Sequence, residues 1–200
     1  MLFIKLLINF FFMKTLFSCF IRDKYKVYKL VSYINCYFLS LYVSYNCILN
    51  LFNFSDERYY NTMNSLFQYF IYDTIAMLYF DFKNSLLFYI HHLLFIITYH
   101  YFNDYYNIYK YELNNFFLCE ISQIFLIHCW LSLTFFRKKY FKINAILLLI
   151  TYFIFRILNF TYYTYISFVT NLYFSPIFLT IYSMNLYWFY LLLKKAINTF

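Results

Sequence analysis

The stretch 85–102, SLLFYIHHLLFIITYHYF, is apolar over almost the length of a membrane-spanning helix and carries His91 and His92 side by side near its middle. Spanning the hydrocarbon takes about 20 such residues. A charged side chain at the centre of a spanning helix costs about 2.5–3.5 kcal/mol on insertion scales, so polar groups at this depth are expensive. The histidine pair therefore indicates a helix bundle whose interior receives polar side chains.

The composition of the whole chain predicts the same class of protein. Of the 200 residues, 64% are hydrophobic, 30% are aromatic and 12% are charged, and the mean hydropathy is +0.59. A soluble domain carries roughly 25% charged residues, so this chain has too few polar groups to cover a globule in water. The composition therefore predicts an all-α, polytopic transmembrane helix bundle.

About seven apolar stretches approach the length of a membrane span. They are 2–20, 28–54, 65–82, 85–102, 113–136, 142–170 and 175–193. The first is either a retained helix or a signal peptide; the absence of an evident small-residue cleavage site favours the helix. We thus expect an N-terminal hydrophobic segment over 1–27 and a transmembrane domain over 28–200.

The net charge of +8 indicates topology, because the Lys and Arg residues lie in short loops between apolar stretches. With seven spans, the strongly basic loops fall on one side, whereas the opposite loops hold Arg58 and Lys110 with acidic neighbours. Basic loops face the cytosol, which predicts a cytosolic C-terminus. The charge is not gathered on a soluble face, so we expect no nucleic-acid partner.

Three more ionisable residues lie near mid-depth in neighbouring apolar stretches: Asp73, Glu120 and Arg156. Their depths, at 1.5 Å per residue, are compatible with one polar pocket shared with the histidine pair. Arg156 stays charged and needs a carboxylate or an anionic substrate group. A neutral imidazole beside Glu120 could act as a base or an acyl acceptor. The alternative for the histidines is a buried polar bridge that fixes helix packing.

The sequence favours no metal site and no cofactor. The five cysteines lie in apolar stretches without a CxxC, which indicates reduced thiols. Adjacent histidines on a helix diverge by about 100° and suit a single metal poorly.

The order of these polar residues resembles that of the TLC-domain family of multi-pass membrane proteins over roughly residues 60 to 195. The resemblance rests on an HH pair in one helix and on the acid and serine of Glu120-Ile121-Ser122 in the next. The further matching positions are Asp73, Trp130, Asn144, Arg156, Asn185 and Trp188.

The family implies a six-helix core around a lipid-sized cavity, with His91, His92 and Glu120 in catalytic positions. It implies that the pocket is lined by Asp73, Ser122, Trp130, Arg156 and Asn185. Ceramide synthases of the family carry D-x-x-D downstream of the HH pair, whereas this chain has Glu120-Ile-Ser-Gln123 and lacks the second acid.

The Glu-x-Ser form is similar to the branch of the family that is not ceramide synthase. That likeness implies binding or sensing of membrane lipids or acyl chains, an influence on lipid composition, and residence in the endoplasmic reticulum or another endomembrane. The alternative is an N-acyltransferase that uses acyl-CoA. A transporter is a third class, which the absence of glycine and the single proline disfavour, because transporters commonly use broken helices.

Overall fold

The computed structural model describes residues 11–19, 21, 23–80, 86–104, 106–135, 140–170 and 175–198, and over these residues the chain is helical without a strand. The helices are α1 (11–18), α2 (Lys24–Phe52), α3 (Asp56–Phe80), α4 (Leu86–Asp104), α5 (Tyr106–Phe116), α6 (Glu120–Thr134), α7 (Phe141–Tyr152), α8 (Asn159–Val169) and α9 (Ser175–Ile197). The predicted all-α class is confirmed.

Two irregular segments make longer helical rods out of adjacent helices. The 3-10 turn Phe117–Cys119 joins α5 to α6, and the π-helical segment Phe153–Leu158 joins α7 to α8. A π turn inserts extra residues into a helix and is frequent at functional sites. Here it buries both Arg156 and Ile157, which directs a guanidinium into the bundle.

Three helical segments in the described part of the chain are long and apolar enough to cross a membrane. They are Lys110–Thr134, Phe141–Val169 and Ser175–Ile197, and α4 adds the shorter apolar stretch Leu86–Tyr99. The chain therefore has the apolar helices of a membrane protein, but fewer candidate spans than the seven expected.

The difference from seven spans arises in the first part of the chain. Helices α2 and α3 have 29 and 25 residues, which is long enough to span, but Ser, Asn and Tyr replace aliphatic residues along both. The expected first span, 2–20, falls mostly outside the described residues.

Polar side chains lie inside the bundle and apolar side chains cover its outside. Asp73 and Arg156 are 8% and 6% exposed, and Asn185 is 0% exposed. On the outer face of α7, by contrast, Ile143 is 63% exposed and Ile150 is 50% exposed. Water would favour the opposite arrangement, whereas a bilayer favours this one, because intramembrane polar groups face the bundle interior.

Helix α2 lies at the centre of the polar interior. It packs against α3 and α6, α6 packs against α7, and α9 packs against α7 and α8. Small polar side chains recur every four residues on one side of α2, at Ser32, Cys36, Ser40 and Ser44, and all four are buried. Residues four apart share a helix face, so α2 presents a polar stripe to its neighbours.

Candidate functional site

A cavity of about 420 Å³ lies between α2, α3, α4, α6, the α7 rod and α9. Its volume falls in the range of small-molecule pockets, roughly 300–1,000 Å³. Most of its surface is apolar, and the apolar part of its wall includes Phe70, Met77, Phe88, Leu126, Trp188 and Leu192. The wall also includes all five ionisable residues that the sequence placed at mid-depth: Asp73, His91, His92, Glu120 and Arg156.

His92 is held at both ring nitrogens by residues of α3. Its Nδ1 lies 3.3 Å from Thr74 Oγ1, and its Nε2 lies 3.9 Å from Asp73 Oδ2. Thr74 also donates its hydroxyl proton to the Phe70 carbonyl oxygen at 2.6 Å. Nε2 is the ring nitrogen that faces the carboxylate.

The Asp73 carboxylate has a second partner on α2. Ser32 Oγ donates a 2.9 Å hydrogen bond to Asp73 Oδ1, which leaves Oδ2 toward His92. A carboxylate that fixes the orientation of an imidazole is a common arrangement in histidine-dependent sites. This side of the cavity therefore holds an oriented His92.

His91 sits against an aromatic wall. Its ring centroid lies 5.9 Å from that of Phe70 and 5.7 Å from that of Trp188, edge to face in both cases. Its Nδ1 is buried and finds no hydrogen-bond partner among the described residues. An unsatisfied buried polar atom costs about 1–3 kcal/mol, so His91 offers the cavity a nitrogen that a ligand can satisfy.

Glu120 and Arg156 form the second charged centre of the cavity. Arg156 Nη2 lies 3.8 Å from Glu120 Oε1, and Ser40 Oγ donates a 3.0 Å hydrogen bond to Glu120 Oε2. Arg156 thus has a carboxylate partner, one of the two alternatives that its permanent charge required. Two opposite charges in contact largely neutralise this end of the cavity.

Two further predicted residues support Arg156 from behind the cavity wall. Arg156 Nε donates to Ser122 Oγ at 2.8 Å, and Nη1 donates to Asn185 Oδ1 at 3.4 Å. Tyr152 also donates to Asn185 Oδ1, at 3.2 Å, and its ring lies 5.4 Å from the guanidinium carbon. Ser122 and Asn185 therefore position the charged pair instead of lining the pocket.

Trp130 lies away from the cavity wall that the resemblance implied for it. Its ring packs edge to face on Tyr33 with centroids 4.7 Å apart, and Tyr33 itself lines the cavity. Trp130 therefore supports the wall from outside. The tryptophan that does reach the cavity is Trp188, which stacks on Phe88 at 5.2 Å.

The residues that sequence reasoning missed belong mostly to α2. Ser32 and Ser40 hold the two carboxylates, and Cys36 lines the cavity and accepts a 3.5 Å hydrogen bond from Gln123. Their four-residue spacing was visible in the sequence as a small polar stripe. The wall also includes Lys29 and Lys195. In the sequence these lysines were used only to predict the orientation of the chain in the membrane.

The arrangement suits an amphiphilic ligand. Across the described ranges, no group of three or more His, Cys, Asp or Glu side chains is placed to hold a metal ion. What the cavity offers is an apolar wall, one unsatisfied imidazole nitrogen, an oriented imidazole and a paired charge.

Comparisons with known proteins return no match: no protein-family model, no curated protein and no solved structure matches this chain. The resemblance to the TLC-domain family stays a prediction.

Proposed function

We propose that this chain is an integral membrane protein of the TLC-like type that binds a membrane lipid or acyl chain in the cavity and so influences lipid composition. The observation that supports the proposal is the apolar cavity of about 420 Å³, whose polar groups converge from α3, α4, α6 and the π segment. An apolar pocket with few convergent polar groups is the usual form of a small-molecule site.

The position of the cavity opening fits a ligand that arrives from the bilayer. Phe88 and Leu191 both line the cavity, and they are 45% and 41% exposed. We place the opening of the cavity between these residues, at the start of α4 and the end of α9. An apolar chain can pass from lipid into the cavity there without crossing water.

The interior of the cavity fits the polar end of a lipid chain. A carbonyl or hydroxyl group can satisfy His91 Nδ1, which the protein leaves unpaired within the described residues. The flanking rings of Phe70 and Trp188 would pack on methylene groups. Binding would thus relieve the cost of a buried unsatisfied nitrogen while it buries apolar surface.

The test is mass spectrometry of the lipids that co-purify with the detergent-solubilised protein. We expect the wild type to retain a lipid that the His91→Ala/His92→Ala variant loses. The matched control is His128→Ala, because His128 stacks on Tyr37 at 5.2 Å and is absent from the cavity wall. A third variant, His91→Phe, removes the nitrogen without disturbing the Asp73 contact and guards against misfolding.

Identical lipid profiles in the wild type and in all three variants, with each protein shown to be folded, would contradict the proposal. The histidines would then serve helix packing alone.

One observation favours a second candidate, an acyl-CoA-dependent N-acyltransferase. His92 lines the cavity and lies 3.9 Å from the Asp73 carboxylate, which Ser32 holds, and a neutral imidazole at such a site can act as a base. Turnover of acyl-CoA with a long-chain amine, lost in His92→Gln, would support the enzyme. Lipid retention without turnover would leave binding as the function.

For location we propose an endomembrane such as the endoplasmic reticulum, with the C-terminus in the cytosol. The one-sided distribution of Lys and Arg between the apolar stretches supports the orientation, and the resemblance to the TLC-domain family suggests the membrane. A C-terminal tag that proteases reach in intact microsomes would agree, and a protected tag would contradict the orientation.

A further inference from the structure

We propose that the cavity binds a lipid with a single hydrocarbon chain and an uncharged polar end, and that the polar end lies innermost, with the chain directed toward Met77 and Leu192. This inference rests on the proposed function and names the class of lipid and its orientation. It starts from the order in which polar and apolar residues follow one another along the cavity wall.

Hydrogen bonds with α2 give the order of the polar wall residues along the bundle. Three side chains of α2, spaced four residues apart, each make a hydrogen bond with one wall residue: Ser40 with Glu120, Cys36 with Gln123, and Ser32 with Asp73. From Ser32 to Ser40 the helix rises about 12 Å. The polar groups are therefore spread over this length, and we call the end at Glu120 the inner end.

Apolar side chains take the place of these polar groups toward the opposite, outer end. Helices α3 and α6 run antiparallel to α2, because rising residue numbers on α2 pair with falling numbers on both. Met77 lies four residues after Asp73 on α3, and Leu126 lies six residues after Glu120 on α6. Both apolar residues therefore lie on the outer side of the polar groups of their own helices.

Helix α9 shows the same change from polar to apolar. Asn185 contacts Arg156, the partner of Glu120 at the inner end, and Trp188 then stacks on Phe88 near the start of α4. Leu192 lies seven residues after Asn185, about 10 Å further along the axis, and lines the cavity. Three helices thus agree that the cavity is polar inside and apolar toward its outer end.

The charged groups of the inner end are paired within the protein. Glu120 lies 3.8 Å from Arg156 and accepts a hydrogen bond from Ser40. Arg156 also donates to Ser122 and Asn185. A charged ligand head would have to break this pair or stay buried without a partner, and an unpaired buried charge is costly. An uncharged head avoids both costs.

The histidines supply hydrogen bonds for an uncharged head. His91 and His92 both line the cavity, and Nδ1 of His91 has no partner among the described residues. An imidazole ring can donate or accept a hydrogen bond, so it can pair with a hydroxyl or a carbonyl group. The polar end of the ligand therefore belongs at the histidines, with its chain along the apolar side chains.

Two lysines also line the cavity and belong to its outer end. Lys29 precedes Ser32 by three residues, and Lys195 follows Leu192 by three. Both lysines interact within the protein. Long lysine side chains commonly lay their methylene groups on apolar surface and keep the ammonium group in water. We therefore assign no ligand contact to them, and the experiment includes an anionic probe that they would attract.

The volume of the cavity matches one chain. A methylene group fills about the space of a water molecule in the liquid, roughly 30 Å³, so the cavity of about 420 Å³ accommodates roughly fourteen groups of that size. One saturated chain of that length with a small head fills the cavity, whereas a lipid with two such chains needs about twice the volume. The class is therefore a long-chain alcohol or a similar uncharged single-chain lipid.

The experiment measures binding to the full chain in nanodiscs of phosphatidylcholine, with binding to empty nanodiscs subtracted. The probes share one chain length and differ in the head or in the number of chains: tetradecanol, tetradecanoic acid, tetradecylamine and dimyristoylglycerol. The test variant is His91→Phe. The matched control is His128→Phe, because His128 stacks on Tyr37 and lies outside the residues that line the cavity.

We expect the wild type and the control to bind tetradecanol about tenfold more tightly than the other three probes, the ratio that one net hydrogen bond gives. The test variant should lose several-fold in affinity for tetradecanol, because the ring that bonds the hydroxyl group is gone. Tighter binding of the acid, the amine or the two-chain lipid than of tetradecanol would overturn the inference.

Photo-crosslinking tests the orientation independently. A tetradecanol with a diazirine beside the hydroxyl group should label inner residues such as Cys36 and Phe70, and one with the diazirine near the methyl end should label outer residues such as Met77 and Leu192. The reverse pattern would show that the polar end lies outermost and would overturn the inference.

The results also separate this inference from the proposed function. Equal binding of all four probes by the wild type and both variants would remove the selectivity for an uncharged single chain and leave lipid binding in place. No binding of any probe to the wild type would remove the proposed function and this inference together.

Discussion

Helix α2 contacts two polar clusters that differ in how well their hydrogen bonds are satisfied. The cavity cluster consists of Asp73, His91, His92, Glu120 and Arg156. The asparagine cluster consists of Asn50, Arg58 and Asn114 and lies toward the opposite end of α2. Both clusters bury polar groups in an apolar bundle, so both carry a desolvation cost.

The asparagine cluster is closed by short, direct hydrogen bonds. Asn50 Nδ2 donates to Asn114 Oδ1 at 3.0 Å, and Asn114 Nδ2 donates to the Cys47 carbonyl oxygen at 3.1 Å. Asn50 Oδ1 accepts from Arg58 Nη1 at 2.9 Å and from the Ser55 backbone at 3.2 Å. Such a network ties α2, the turn into α3, and α5 together.

The polar groups of the cavity cluster are less completely satisfied. Its two charge contacts, His92 to Asp73 and Arg156 to Glu120, measure 3.9 Å and 3.8 Å. His91 Nδ1 has no partner within the described chain. The comparison teaches that full satisfaction marks the cluster that fixes the fold, whereas incomplete satisfaction beside a cavity marks the cluster that awaits a ligand.

The largest effect is expected from Arg156→Leu, which leaves the Glu120 carboxylate buried without its cation. Breaking a buried pair in this way costs about 3–5 kcal/mol. Denaturant unfolding in detergent should show the loss. The double variant Glu120→Gln/Arg156→Met should recover much of the stability, because it removes both charges. An Arg156→Leu variant as stable as the wild type would show that the ion pair does not stabilise the bundle.

Asn114→Leu should have the next largest effect. We expect it to lower the free energy of unfolding by about 1–3 kcal/mol, because it leaves the buried Asn50 amide without its acceptor. Lipid retained per folded molecule should stay unchanged, since the asparagine cluster is separate from the cavity. Asn53→Ala is the control, because the Asn53 side chain is exposed and only its carbonyl oxygen contacts Arg58. A loss of lipid in folded Asn114→Leu would erase the distinction between the two clusters.

His91→Phe should show the reverse pattern, with little change in stability and a several-fold loss of retained lipid. The substitution removes an Nδ1 that has no hydrogen-bond partner among the described residues and keeps a ring between Phe70 and Trp188. Stability and lipid content would be measured on one preparation beside His128→Phe. A large loss of stability with lipid retained would place His91 among the packing residues.

The smallest effect is expected from Ser32→Ala, which removes one hydrogen bond to the Asp73 carboxylate and should lower the free energy of unfolding by about 0.5–1.5 kcal/mol. Ser183→Ala is the matched control, because its hydroxyl bonds only within its own exposed helix face. Equal stability of the two variants would show that Ser32 does not support the carboxylate.

The helical class and the gathering of charged residues could be predicted from the sequence. Apolar stretches and sparse charge dictate helices in a bilayer, and the cost of intramembrane charge drives His91, Glu120 and Arg156 toward a common interior. Neither helix formation nor the burial of these charged residues depends on which helices pack together. Both could therefore be predicted without knowledge of the fold.

The partners of those residues could not be predicted in the same way. Ser40 and Glu120 are 80 residues apart and meet only because α2 packs against α6. The inward direction of Arg156 depends on the π segment Phe153–Leu158, which no glycine or proline marks in the sequence. Trp130, expected in the pocket, lies behind it because helix rotation, and not residue order, decides which ring reaches the cavity.

The most direct test of the central claim, that the cavity holds a lipid chain, is photo-crosslinking with a diazirine-bearing fatty acid fed to cells that express the protein. The account predicts labels on inward-facing residues of the cavity wall, such as Phe70 and Trp188, mapped by peptide mass spectrometry. Labels confined to outward-facing residues such as Ile143 and Ile150, with the cavity wall unlabelled, would contradict it.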